Sequence, residues 1–205
     1  KVLASSETVF SPEIVRYKTL EDGDSLALHI FKPRNMQAGE KRPAIVYFFG
    51  GGWKLGTPIQ FYRECAYYAS KGMVAVSVDY RIGYLHHSTP FESFEDAKDA
   101  ICWLRSHASD YQLDPDKIAV AGGSAGGHLA AALGTIGSDE TVPAGYRPNL
   151  SVLYYPVIDM VSRGYGFPEI KRDFEKISPI HHVSEATPST LILLGTKDPI
   201  VSVET

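Results

Sequence analysis

"VAGGSAGGHL", residues 120–129, closes an apolar run and opens a helical pattern, with one serine, Ser124, between two glycine pairs. Gly122-Gly123-Ser124-Ala125-Gly126 fits G-x-S-x-G, the sharp turn on which a strand passes into a helix and a serine hydroxyl is lifted above the sheet. Small neighbours are needed there because a Cβ on either flank would clash. The Ala125 amide would then lie at a helix N-terminus, facing a developing oxyanion. The plainer use of such residues is a glycine-rich turn with a capping serine; the strand before and the helix after favour the nucleophile. A phosphate-binding loop is excluded, because neither GK[ST] nor G-x-G-x-x-G is present.

Outward from this turn, strand and helix patterns alternate. Near-continuous apolar runs occur at residues 44–49 (AIVYFF), 73–80 (MVAVSVDY), 117–122 (KIAVAG), 150–157 (LSVLYYPV) and 190–195 (TLILLG). Runs without alternation fit strands buried on both faces of a parallel sheet. "LALHIFKP" (26–33) does alternate, as expected of early antiparallel strands. Residues 61–72 read as a helix stopped by Gly72. Residues 91–111 place Phe94, Ala97, Ile101 and Leu104 on one helical face, and residues 124–136 form a third helical pattern. This order predicts one α/β domain over 1–205, a doubly wound, mostly parallel sheet. Residues 160–177, polar and Gly-rich, read as a cap-like insertion over one end of the sheet.

Composition narrows the function classes. The 205 residues are 44% hydrophobic and 21% charged, as in an ordinary globular chain. A net charge of −4 supplies no basic footprint, so nucleic acid and anionic membrane are not expected partners. No apolar run approaches the roughly 20 residues that span a bilayer. Cys65 and Cys102 form neither a CxxC pair nor a Cys/His cluster at ligand spacing, so they say little about metal or redox compartment, and both are read as small buried residues; no metal or other cofactor is expected. The chain opens Lys1-Val2-Leu3 rather than with Met, pointing to a removed upstream segment; secretion or the periplasm is favoured over the cytoplasm on that ground.

A second constellation is "FFGGGW", residues 48–53. Three glycines directly after a buried strand leave amides unshielded, as an oxyanion hole requires. Trp53 suits either the core or a substrate platform. With "GTKD" at 195–198 these motifs resemble the α/β-hydrolase fold, and within it the hormone-sensitive-lipase-like esterases and their bacterial carbohydrate-esterase relatives. In that group the glycine loop reads H-G-G-G-[FW], the serine turn G-x-S-A-G-G and the acid turn G-T-x-D. "VDYR" (78–81) and "SPIHHV" (178–183) are further phrases similar to the group's.

The resemblance implies a serine carboxylic ester hydrolase. Ser124 would be the nucleophile, Asp198 the acid that orients a histidine, and Gly51, Gly52 and Ala125 the oxyanion-hole amides. Asp198 also follows a late strand at the sheet edge where α/β active sites gather; Asp159 is the alternative acid. Trp53, Tyr155 and Tyr84 suggest an aromatic-lined pocket for a small acyl group or a sugar ester, and an acetylated glycan is the preferred substrate.

Two departures stand out. Phe49 occupies the position of the group's loop histidine, a support residue, so its loss should alter loop packing and leave the amides available. The triad order is Ser, acid, His, yet "PIVSVET" after Asp198 contains no histidine. His29, His86, His87, His107, His128, His181 and His182 each have a plainer role. His128, one helical turn past Ser124, should point away and pack beneath the site; His86 and His87 lie in the loop after "VDYR". The expectation is therefore a C-terminally incomplete domain lacking its last strand and helix. The catalytic His would come from a segment beyond Thr205 or from a second chain, and the 205 residues alone would be weakly active or inactive. Residues 190–195 would otherwise form an uncovered apolar edge strand. The alternative class is a non-catalytic ligand-binding module on the same fold, with an incomplete triad.

Overall fold

A computed structural model of the chain describes residues 11–137, 144–160, 170 and 173–201. Seven strands form one sheet: β1 (Glu13–Thr19), β2 (Ser25–Phe31), β3 (Arg42–Phe48), β4 (Val74–Val78), β5 (Leu113–Gly123), β6 (Leu150–Tyr154) and β7 (Ser189–Leu193). Their order is β1-β2-β4-β3-β5-β6-β7. β1 and β2 run antiparallel, as do β2 and β4, and every later pairing is parallel. The mostly parallel α/β sheet read from the apolar runs is therefore present. The antiparallel start is also present, and it includes β1, which pairs with the alternating strand β2.

β4 and the carboxyl halves of β3 and β5 are largely buried because helices cover them. α1 (Tyr62–Ser70) packs on β4, β3 and β2, and α4 (Ala125–Thr135) on β5, β6 and β3. Between them in sequence come a one-turn helix, α2 (Gly83–His86), and α3 (Pro90–Ser106), which packs against α4 and β1. Gly72, at φ +92°, terminates α1 in the left-handed region that favours glycine. α3 opens on a full capping box between Thr89 and Glu92. Phe94, Ala97, Ile101 and Leu104 form its buried face. Cys65 is buried as expected, but Cys102 is exposed. It follows Ile101 by one residue, about 100° around the helix, and so leaves the core stripe.

Register aligns the carboxyl ends of the strands. Phe48 of β3 sits level with Val78 of β4 and Gly122 of β5, and Gly123 with Tyr154 of β6, whose register partner is Leu193 of β7. The chain leaves β3 for β4 on one side and reaches β5 on the other. β3 and β5 thus flank a switch point, where crevices form in open α/β sheets. The glycine loop, "VDYR", Ser124, Tyr155 and the Asp198 turn all leave the sheet at this one edge.

β7 lies at the far edge and is exposed along its length, with Leu191, Ile192 and Leu193 each about half accessible (53%, 49% and 46%). An apolar hollow beside it is lined by Ala131, Leu153, Ile158, Val183 and Ile192. Of the expected insertion at 160–177, most lies outside the described residues; its end forms α5 (Phe174–Ile177). Among the described residues, no helix is long and apolar enough to cross a membrane.

Candidate active site

Ser124 is built as the turn requires. Its backbone is at φ 54°, ψ −118°, and its side chain makes no cap hydrogen bond to α4. The capping-serine alternative is thus not realised. A non-glycine residue held in so sparsely populated a region costs roughly 1–3 kcal/mol and persists only when its surroundings over-determine it. Here the Ser124 amide donates to the Tyr154 carbonyl at 3.0 Å, and its own carbonyl accepts from His128 N at 2.9 Å. A Cβ at Gly122 would stand 2.3 Å from the Gly126 carbonyl oxygen, and one at Gly126 2.0 Å from that of Phe48. Both glycines are sterically compulsory.

The glycine loop lies against this turn. A Cβ on Gly50 would be 3.4 Å from the Ser124 Cβ and 2.8 Å from the Gly123 carbonyl oxygen. Gly51 (φ 145°), Gly52 (φ 62°) and Trp53 (φ 57°) all have positive φ. The Gly51 carbonyl accepts from the amides of Lys54 (3.1 Å) and Leu55 (3.2 Å), while the Gly50 amide donates to Gln60 Oε1 at 2.6 Å. Among the described residues, the amides of Gly51, Gly52 and Ala125 make no hydrogen bond. Phe49, in the place of the expected histidine, stacks on Tyr80 with centroids 4.1 Å apart, and the Tyr80 hydroxyl donates to the Phe49 carbonyl at 2.6 Å. Trp53 is buried, edge-on to His128 at 5.1 Å. Its ring supports the loop from within the core.

Asp198 follows β7 in a tight turn. Its Oδ1 accepts from the amides of Ile200 and Val201, both at 2.9 Å, and these bonds hold the carboxyl below its ordinary range. Oδ2 accepts nothing from a described residue, so the carboxylate retains an unused acceptor. Asp159 is half-buried beyond β6. Tyr155 is half-exposed at φ 38°, its amide bonded to the Leu193 carbonyl at 2.7 Å, and its phenol covers the open face of Gly123.

All seven histidines are described, and none is hydrogen-bonded to the Ser124 hydroxyl. His128 is fully buried with Nε2 2.7 Å from the Ile177 carbonyl, and burial lowers its pKa to about 4. His29 meets the Tyr62 hydroxyl, His107 stacks on Trp103, and His182 reaches the Glu175 carbonyl. His181 lies edge-on to Phe174, and His87 caps α2 in a left-handed conformation. His86 Nδ1 accepts from the Ile82 amide at 3.0 Å.

Among the supporting residues, Asp96 and Gln60 carry no local sequence signal, whereas Asp79, Tyr80 and Arg81 stand in the "VDYR" phrase. Asp96 of α3, fully buried, takes two bonds from the Arg81 guanidinium (both 2.8 Å), one from the Arg81 amide (2.9 Å) and one from Lys18 (2.6 Å). It thereby anchors the "VDYR" segment. Asp79, in the same segment, is pushed up to about 6 by burial, against a lowering influence from His86. Gln60 and Tyr80 brace the glycine loop from outside it. Each of these pairings joins residues far enough apart in sequence that no motif spans them.

The BD-FAE family profile matches residues 28–162, about two thirds of the chain. The chain belongs to the BD-FAE family. The chain is also similar to solved esterase structures. Thermogutta terrifontis esterase 2, phosphoramylated by tabun, superposes with a TM-score of 0.87 at 38% identity, over 95% of this chain and 75% of that one. The propionate-bound form of that esterase gives a TM-score of 0.85 at 37% identity, over 95% and 75%. The fold is therefore the α/β-hydrolase fold of such esterases. Among curated relatives, the esterase LipC of Mycobacterium tuberculosis is 29% identical over 89% of this chain and 51% of its own length. An acetylxylan esterase of Xylanibacter ruminicola is 26% identical over 91% and 39%. The chain spans about half the length, or less, of these curated relatives.

Proposed function

We propose that this BD-FAE domain is the catalytic domain of a serine carboxylic ester hydrolase. The observation that carries the reading is the Ser124 turn: a strained, over-determined backbone, a hydroxyl spent on no cap, and a glycine loop packed against it. In the proposed reaction the Ser124 oxygen attacks the ester carbonyl carbon and its proton passes to a histidine base. The carbonyl oxygen becomes an oxyanion held by the amides of Gly51, Gly52 and Ala125. The alcohol leaves with the proton the histidine returns, and water then hydrolyses the acyl-enzyme by the same route. Asp198, with an unused carboxylate oxygen, orients the imidazole.

None of the seven histidine side chains is bonded to the Ser124 hydroxyl, so we assign the base to a histidine outside the 205 residues, from a further segment or a second chain. The exposed apolar strand β7, beside the Asp198 turn, is where such a segment would pair. The proposed substrate is a small or carbohydrate-linked ester of a short acid. The acetylxylan esterase relative and the propionate-bound esterase support this choice. Half-exposed Tyr155, over Gly123, is proposed to face the substrate, and buried Trp53 to act through the loop.

The test is hydrolysis by the protein at its native length, on p-nitrophenyl acetate, acetyl-xylan and feruloyl esters. Ser124→Ala is expected to lower kcat by at least about 10³-fold, because the remaining oxyanion donors alone leave weak catalysis. The isolated 205-residue piece is expected to turn over p-nitrophenyl acetate poorly. Robust Ser124-dependent turnover by that piece would instead place the base among the histidines described here. Tight ligand binding by the native-length protein without turnover would favour the binding-module reading.

A further inference from the structure

The glycine loop carries strain beyond its glycines. Trp53, not a glycine, sits at φ 57°, directly after Gly52 at φ 62°. A tryptophan held in the left-handed region needs restraint from outside, since the conformation costs roughly 1–3 kcal/mol. Its ring is fixed in the core. Its carbonyl is held by the next segment of chain: the Gly83 amide donates to the Trp53 carbonyl at 2.8 Å, and the Tyr84 amide to the Lys54 carbonyl at 3.1 Å. These donors are the first two amides of α2, which its own turn leaves unsatisfied.

α2 has only four residues, too few to be stable alone. What closes it is His86. Its backbone amide donates to the Ile82 carbonyl at 2.9 Å, and its ring Nδ1 accepts from the Ile82 amide at 3.0 Å. One residue thus satisfies both polar groups of Ile82, the N-cap of the helix. His87, at φ 51°, ends the turn by donating to the Gly83 carbonyl. As an acceptor, Nδ1 must be unprotonated, so the neutral ring carries its proton on Nε2.

We propose that His86 is a positioning residue for the oxyanion hole. By accepting the Ile82 amide it locks α2, whose leading amides hold the Trp53 and Lys54 carbonyls. That clamp fixes the Gly51 and Gly52 amides against Ser124. The proposal rests on the ester-hydrolase reading for its effect on rate, but the clamp is a property of the chain that can be measured without any activity.

Three substitutions in the native-length protein separate this role from the others open to His86. In His86→Asn, Oδ1 lies as many bonds from Cα as Nδ1 does, so the acceptor is kept. His86→Gln carries its amide one bond further out, at the level of Nε2, and His86→Ala removes both. Hydrogen exchange is followed in peptides covering residues 50–56 and 82–87, alongside kcat and KM for p-nitrophenyl acetate. His86→Ala is expected to speed exchange in both segments and to lower kcat by about 10-fold or more with KM within about twofold. Loss of one oxyanion donor outright costs about 10²–10³-fold, and a loosened loop should cost less. His86→Asn should restore most of the protection and most of the rate.

Unchanged exchange of residues 50–56 in His86→Ala overturns the clamp. So does a His86→Asn variant as impaired as His86→Ala, and rescue by Gln but not Asn would assign the action to Nε2, as for a base or a pocket wall. Should Ser124→Ala retain full hydrolysis, the ester-hydrolase reading fails while the exchange comparison still decides the clamp.

Discussion

His128 illustrates what burial does to a single side chain. It sits one helical turn after Ser124, close enough in sequence to suggest a partner, yet its ring lies wholly in the core with Nε2 on the Ile177 carbonyl. Desolvation lowers its pKa to about 4, against about 6.5 in an unfolded chain. The folded state therefore binds fewer protons than the unfolded state between these values. Its stabilising contribution is complete above pH 6.5 and drains as the pH falls towards 4, at about 1.4 kcal/mol per pKa unit of separation. His128→Gln retains a donor at the Nε2 position but cannot titrate. Thermal unfolding of the two proteins should show wild type ahead at pH 8, with the gap narrowing steadily to pH 4.5. A gap of constant size over that range would contradict the assignment. Sequence spacing indicated that His128 turns away from Ser124. Its hydrogen-bond partner lies 49 residues away and carries no such signal.

At the scale of elements, what the sequence reveals depends on whether the deciding contacts are local. The five long apolar runs became β3 to β7; for β4 and most of β3 the reason is that a strand buried on both faces needs hydrophobic residues throughout, a demand visible residue by residue. The serine turn was equally legible, since its glycines answer to clashes within and around one turn. A Cβ at Gly126 would meet the Phe48 and Phe49 carbonyl oxygens at 2.0 and 2.4 Å. Gly126→Ala must push α4 off the end of β3. It should destabilise the protein by roughly 2–3 kcal/mol, the cost of overpacking a filled core, measurable as a lowered denaturant midpoint with unchanged slope. A neutral effect would mean that the close approach of α4 to β3 is wrong. By contrast, the Asp96–Arg81–Lys18 cluster, the Gln60 brace and the α2 clamp join distant residues, and no local pattern specifies them. Cys102 fails as a core residue for a local reason, its angle on α3, which helical periodicity does record.

At the scale of the whole molecule, the sheet register brings five loops to one edge. The same arrangement leaves β7 exposed on the far side. Its sequence is an apolar run like those of the buried strands, which is why sequence alone reads it as a strand but cannot name what lies against it. The β-sheet order sets the Ser124 turn, the glycine loop and the Asp198 turn at the carboxyl ends of their strands. That convergence is what makes the chemistry of Ser124 the central claim. It is tested most directly by treating the native-length protein with a fluorophosphonate and locating the adduct by peptide mass spectrometry. The account predicts one stoichiometric adduct, on Ser124, absent from Ser124→Ala. No adduct, or an adduct on any other residue, would contradict it.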